Sequence, residues 1–221
     1  MSVVQISPET ISVLKNFSQI QKNLLIPEGN ELVTLHDSKT IMAVAEVNEK
    51  FPVRTAIWDL GQFLSVLSLF DKPEIEFTEK AMNIGSGRRR IKYYQCAEEL
   101  LNTPKKKISF KSDFQVNIAE SEIAEAIKAA SVLGLPDLSI KSTGGAIRLV
   151  AHDKKNSTSN TFDLEVGEDC PNEFEANLRI EFLKLLPGDY TVSLSSKGIS
   201  EFKHDVKNIR YYIALEPDSK F

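Results

Sequence analysis

A four-residue phrase that occurs twice constrains the fold of this chain more than any other feature. Ile91-Lys92-Tyr93-Tyr94 near the middle returns as Ile209-Arg210-Tyr211-Tyr212 near the end. Phe63-Leu64 precedes the first copy by 28 residues, and Phe182-Leu183 precedes the second by 27. Two further stretches correspond. Ile6-Ser-Pro-Glu-Thr-Ile11 matches Ile118-Ala-Glu-Ser-Glu-Ile123 at an offset of 112, and Leu35-His36-Asp37-Ser38-Lys39 matches Ala151-His152-Asp153-Lys154-Lys155 at 116. The tetrapeptides themselves lie 118 apart. A tandem duplication with small loop insertions produces this pattern, and half of 221 residues is a common domain size.

Local signals fill in each half. Ser7-Pro8-Glu9 is a helix start: an N-cap serine, proline at the first helical position and an acid in the first turn. Ile11, Leu14, Phe17 and Leu24 then recur at helical spacing, with Ser12, Lys15, Gln19 and Lys22 as the opposite stripe. Strands are expected at 32–35, 41–47, 53–58, 74–77, 81–84 and 88–95. Asp59 caps a short helix whose core face is Leu60, Phe63, Leu64 and Leu67. In the second half a helix runs to about Leu133 with Ile123, Ala126, Ile127 and Ala130 inward. Thr143-Gly-Gly145 is a hairpin turn, and 181–186 reads as a second short helix stopped by Pro187-Gly188. Strands are expected after the glycine turn, ending in Ala151-His152-Asp153-Lys154-Lys155, and at 174–180, 190–195, 199–203 and 208–215. Residues 97–108, polar and broken by Pro104, read as a connector between domains at 1–96 and 109–221. Two helices and about six strands per half predict an α+β fold, with antiparallel sheets carrying helices on one face.

Composition narrows the chemistry. A net charge of −4 argues against a protein that coats nucleic acid nonspecifically. No apolar run approaches the roughly 18–20 residues of a membrane helix, and the N-terminus does not resemble a signal peptide, so a cytoplasmic location without membrane contact is expected. Cys96 and Cys170 have no metal-ligand spacing and read as free thiols. His-Asp recurs at 36–37 and 152–153, but neighbours in a tight turn rarely face each other, and no nucleophile repeats beside them. Gly85-Ser-Gly87 opens a strand, so it lacks the helix N-terminus that cradles phosphate. No enzyme signature remains, and no cofactor motif.

What does remain is basic. Arg88–Arg90 and Lys105–Lys107 are short cationic runs. Lys15 and Lys22 share a helical stripe with no acid between them, which favours an anionic partner. Lys128 stands on the third helix with Glu125 as counter-signal, and Lys184 is the main basic group on the fourth, just after Arg179. In the last strand, Ile209, Tyr211, Ile213 and Leu215 share the core face, so Arg210, Tyr212 and Ala214 face outward. An exposed tyrosine beside a small alanine makes a shallow apolar notch.

The whole pattern resembles a DNA sliding clamp of the T-even phage type, a polymerase processivity factor. The resemblance is carried by Ser7-x-Glu-Thr followed by Leu14-Lys-Asn-Phe17, and by Ala56-Ile-Trp-Asp-Leu60 with Phe63-Leu-Ser-Val-Leu-Ser-Leu69. Leu186-Pro-Gly-Asp-Tyr190 and the close Tyr212-Ile-Ala-Leu-Glu-Pro-Asp-Ser219 complete it. The Ile-Arg-Tyr-Tyr-Ile-Ala segment is also similar to the final strand of proliferating cell nuclear antigen. The resemblance implies two tandem clamp domains per chain and a homotrimeric ring, with sheets outside and short helices lining the inside. It implies no catalytic activity and no cofactor. The partners it implies are double-stranded DNA read without sequence preference, a clamp-loader ATPase, a DNA polymerase C-terminal peptide and late-transcription factors, all in the cytoplasm of an infected host cell. On that reading Lys15, Lys22, Lys128 and Lys184 face DNA, fewer than the family's inner helices usually carry. The family's peptide pocket falls at Tyr212, Ala214 and Pro187, with Leu100 or Leu101 as lid and Ile41 as floor. The competing class is a monomeric nucleic-acid-binding or adaptor module, which would stack bases on exposed aromatics among basic residues; only Arg88–Tyr94 offers that.

Overall fold

In the computed structural model, residues 3–104, 108–168, 170 and 172–221 are described. The chain divides into two compact units, Met1–Lys107 and Ile108–Phe221. The first contains β1 (Val3–Gln5), α1 (Pro8–Ile20), β2 (Leu24–Ile26), β3 (Gly29–Leu35), β4 (Ile41–Phe51), β5 (Thr55–Ile57), α2 (Leu60–Leu67), β6 (Glu74–Phe77), β7 (Ala81–Ser86) and β8 (Arg89–Tyr94). The second contains β9 (Phe114–Ile118), α3 (Glu120–Leu133), β10 (Asp137–Thr143), β11 (Ala146–His152), β12 (Phe162–Gly167) and β13 (Phe174–Arg179). A 3-10 turn (Ile180–Phe182) follows, then β14 (Tyr190–Ser195), β15 (Ile199–His204) and β16 (Ile209–Ala214).

Position by position the two programmes are one programme. Strand–helix–four strands–helical turn–three strands occurs twice, and the repeated tetrapeptide ends each copy, in β8 and in β16. Sheet order repeats as well. The first unit has β1-β6-β7-β8, and β9, β14, β15 and β16 stand in the same succession in the second. Pairing is antiparallel throughout: Val4 lies opposite Ile75, and Ile118 opposite Tyr190. The other sheet of the second unit has the order β12-β11-β10-β13, while the equivalent strands of the first form the β3–β4 and β2–β5 pairs. The fold is α+β, as expected.

Each core lies between sheet and helix. Leu14, Phe17 and Ile20 of α1 and Leu60, Phe63 and Leu67 of α2 are buried. Leu64 is only half-buried, so the core face of α2 is narrower than its leucine content suggests. Alanines at 126 and 130 are the fully buried residues of α3, whereas Ile123 and Ile127 are half-buried. The Gly144-Gly145 turn joins β10 to β11 with φ of +60° and +89°, the left-handed pair a two-residue hairpin requires.

Two helical expectations give way. The first helix ends at Ile20, not beyond Leu24: Gln21 is extended, and its side chain bonds the Leu35 carbonyl and Asp37. Leu24 instead opens β2, where it pairs with Ile57 in the core. The segment 181–186 forms no α-helix, only the 3-10 turn, before Pro187 ends it. Six residues bounded by proline cannot repay the cost of helix nucleation. Strands β1, β2, β9, β10 and β12 add to those expected, giving eight per unit.

Candidate nucleic-acid and partner interfaces

Helix α1 is built to hold one face to solvent. Ser7 caps it, accepting from the Thr10 amide at 3.3 Å, and the Glu49 carboxylate receives the Ser7 amide at 2.5 Å and the Thr10 hydroxyl. Burial pushes the Glu49 carboxyl up, but these hydrogen bonds outweigh it and hold the group below its ordinary range. With Leu14 and Phe17 buried, Lys15 and Gln19 are exposed and Ser12 is half-buried. Lys22 does not share their stripe, because the helix has ended before it. Its ammonium lies 3.3 Å from the Asp59 carboxylate, the N-cap of α2. That carboxylate accepts the Gln62 amide at 2.8 Å, and this bond, with the Lys22 ammonium, keeps it below the usual carboxylate range. An acid therefore sits beside Lys22 after all.

The solvent face of α2 is small and hydroxylated. Gly61, Ser65 and Ser68 are exposed, and Ser65 turns its hydroxyl back to the Gly61 carbonyl at 2.9 Å. On α3, Lys128 is exposed, and so is Glu125. Glu122 accepts the Ala119 amide at 2.7 Å, closing the N-terminus without a side-chain cap. Lys184 is half-buried in irregular chain, so its helix-face assignment falls with the helix. Where a fourth helix was expected, a groove of about 170 Å³ opens instead. Ile123 and Ile127 of α3 line one side; Leu183, Leu186, Pro187 and Tyr190 line the other.

The expected notch is rearranged. Tyr212 is not an exposed aromatic: it is 8% exposed. The Phe110 ring tilts across it at 6.1 Å, and Glu201 and Arg210 interact with its phenol, which burial pushes above its ordinary range. Ala214 is half-buried. Pro187 is exposed but on the other side of the sheet. The adjacent Leu186 amide donates to the Tyr211 hydroxyl at 3.1 Å, and neighbours in a strand face opposite ways. Pro187 therefore belongs to the α3 groove and not to the surface of Tyr212. In the first unit, Ile41 is completely buried and Leu101 is 9% exposed, while Leu100 stands out at 61%. The start of the connector is fastened by Arg54 to Glu98 at 2.7 Å and by Asn102 to Asp37 at 3.3 Å. Of the residues expected to form a lid, Leu100 is the one that reaches solvent.

Other candidates resolve into turn and sheet chemistry. His36 bonds Ser38 at 2.7 Å, while Asp37 takes the Gln21 amide; His152 bonds Ser139 at 2.7 Å, while Asp153 accepts the Lys155 amide. Among the described residues no cluster suited to a metal ion occurs, and no helix is long and apolar enough to cross a membrane. Lys105–Lys107 lies outside the described residues. Phe110 is the residue sequence reasoning missed. An aromatic just past a cationic run was its only signal.

Two family descriptions tile the chain: "DNA polymerase processivity factor" over residues 7–110 and "gp45 sliding clamp, C terminal" over 115–217. A sliding clamp of Vibrio phage KVP40 is 32% identical over 221 residues, covering 96% of this chain and 99% of that one. The sliding clamp of Enterobacteria phage T4 is 26% identical, covering 98% of each. Among solved structures, the PCNA of A. fulgidus bound to the C-terminal region of FEN-1 superposes with a TM-score of 0.74 at 14% identity, covering 100% of both chains.

Proposed function

This chain belongs to the sliding-clamp family, and from that premise we propose that three copies close head to tail around duplex DNA and tether the replicative polymerase. The observation that carries this reading is the repetition of one element programme in two units, over the full length of the phage relatives. Two repeats in each of three chains give a wall of nearly six-fold regularity, which suits a duplex held without regard to sequence. A heterologous contact that closes by three-fold rotation gives a ring instead of a filament.

Sparse cationic lining follows from the mechanism. Topological linkage replaces affinity, and each added phosphate contact would only increase drag and salt dependence. Lys15 and Lys128, exposed on α1 and α3, are the DNA-facing cations this reading favours; Lys22 and Lys184 are secondary. The protein performs no chemistry itself and needs no cofactor. A loader ATPase opens the ring, a polymerase C-terminal peptide docks on the second unit beside Ala214, and late-transcription factors share that surface in the infected host cytoplasm.

Size-exclusion light scattering and primer extension test this. A trimer mass is expected, with polymerase stimulation that persists on circular primed template and decays on linear template, where a ring slides off. A stable monomer that stimulates both alike would select the monomeric adaptor instead.

A further inference from the structure

The sheet face that β14, β15 and β16 turn away from the core is covered where water is expected. Ser193, Glu201 and Tyr212 lie directly opposite one another across the three strands, so they share a face. Val192, Phe202 and Tyr211, their chain neighbours, are buried in the core on the other side. A sheet packed on one side commonly leaves the other to solvent. Yet Ser193 and Tyr212 are both buried, and the Glu201 side chain is only 15% exposed. In the next row, Ile199 and Ala214 stand opposite each other on that same face and are half-buried.

The cover over Tyr212 is Phe110. It belongs to the stretch 108–113 that leads into β9, and the far end of that stretch is firmly tied. The Asp113 amide donates to the Leu194 carbonyl at 2.8 Å, and the Asp113 carboxylate accepts the Ser196 amide and hydroxyl, each at 2.7 Å. Ser109 and Lys111 are exposed on either side of Phe110, so Phe110 is the side chain turned to the sheet. Its ring meets Tyr212 in a tilted contact and is itself half-buried. A ring pair of this kind shifts an equilibrium about 10-fold at most. The stretch is thus anchored at its root and lightly held at its ring.

We infer that Phe110 is an intramolecular plug on the Tyr212 end of the docking surface, and that the polymerase C-terminal peptide docks beside Ala214 by displacing it. This rests on the docking reading and adds a regulatory step to it. While no partner is bound, the plug keeps an apolar patch from water and from other apolar surfaces. It also lowers the apparent affinity by the fraction of molecules in which the surface stands open.

Anisotropy titration of the full chain with a labelled C-terminal peptide of its replicative polymerase tests the plug. Phe110→Ala should tighten binding about 3- to 10-fold, the reach of one aromatic contact. Phe110→Trp puts a larger ring on the same partner and should weaken binding. In a Trp58→Phe background, which removes the chain's single native tryptophan, the indole introduced at 110 should shift its emission to the red as peptide saturates. Weaker or unchanged binding by Phe110→Ala overturns the plug and leaves docking beside Ala214 standing. An emission that stays fixed at saturation does the same. A peptide that binds neither the wild-type chain nor Phe110→Ala overturns plug and docking together.

Discussion

Tyr211 and Tyr212 are chain neighbours with different attachments. The Tyr211 hydroxyl accepts the buried Leu186 amide at 3.1 Å, and Tyr190 donates to the Leu186 carbonyl at 2.6 Å. Burial lifts both phenols far above their ordinary value near 10. A group whose folded value is raised contributes stability that is complete below its unfolded value and is lost above it. Stability should therefore hold through neutral pH and fall as pH rises beyond about 10. Tyr211→Phe leaves the Leu186 amide without its partner and should cost about 1–3 kcal/mol in chemical denaturation. Strand period alone assigned Tyr211 to the core, because alternation is a property of the strand itself. It failed for Tyr212 because the cover comes from Phe110, about a hundred residues earlier in the chain, which no local period records.

At the scale of elements, the helices divide into what caps can specify and what packing decides. The start of α1 was legible because Ser7, Pro8 and Glu9 act within one turn. Its end was not. Leu24 continues the helical spacing, yet it gains more by pairing with Ile57 in a buried two-stranded ribbon, a partner 33 residues away. The consequence falls on Lys22, which lands beside Asp59 instead of beside Lys15. Lys15→Ala should therefore lower retention on a short duplex and flatten its salt dependence, and Lys22→Ala should do so less. Equal loss from both would return Lys22 to the same DNA-facing stripe. The irregular 183–189 segment carries the same lesson: Phe182-Leu183 marks the right place in the repeat, but too few residues precede Pro187 for a helix.

At the scale of the whole molecule the duplication was the most legible feature, since matched residues at drifting offsets report common topology even where loops differ. Sheet order was not legible, because strand partners distant in sequence leave no local trace. Each unit closes by joining its first strand to its sixth. Val4 meets Ile75 and Ile118 meets Tyr190, spans of 71 and 72 residues. Contacts this remote reward the chain only after a long loop has been ordered, which places refolding in the range of about milliseconds to seconds. Val4→Ala, expected to cost roughly 1 kcal/mol, should mainly accelerate unfolding and leave the refolding limb of a chevron almost unchanged. A slowed refolding limb would mean that β1 belongs to the nucleus. During synthesis, then, each unit must wait for its own sixth strand, so the first can lock while the second is still leaving the ribosome.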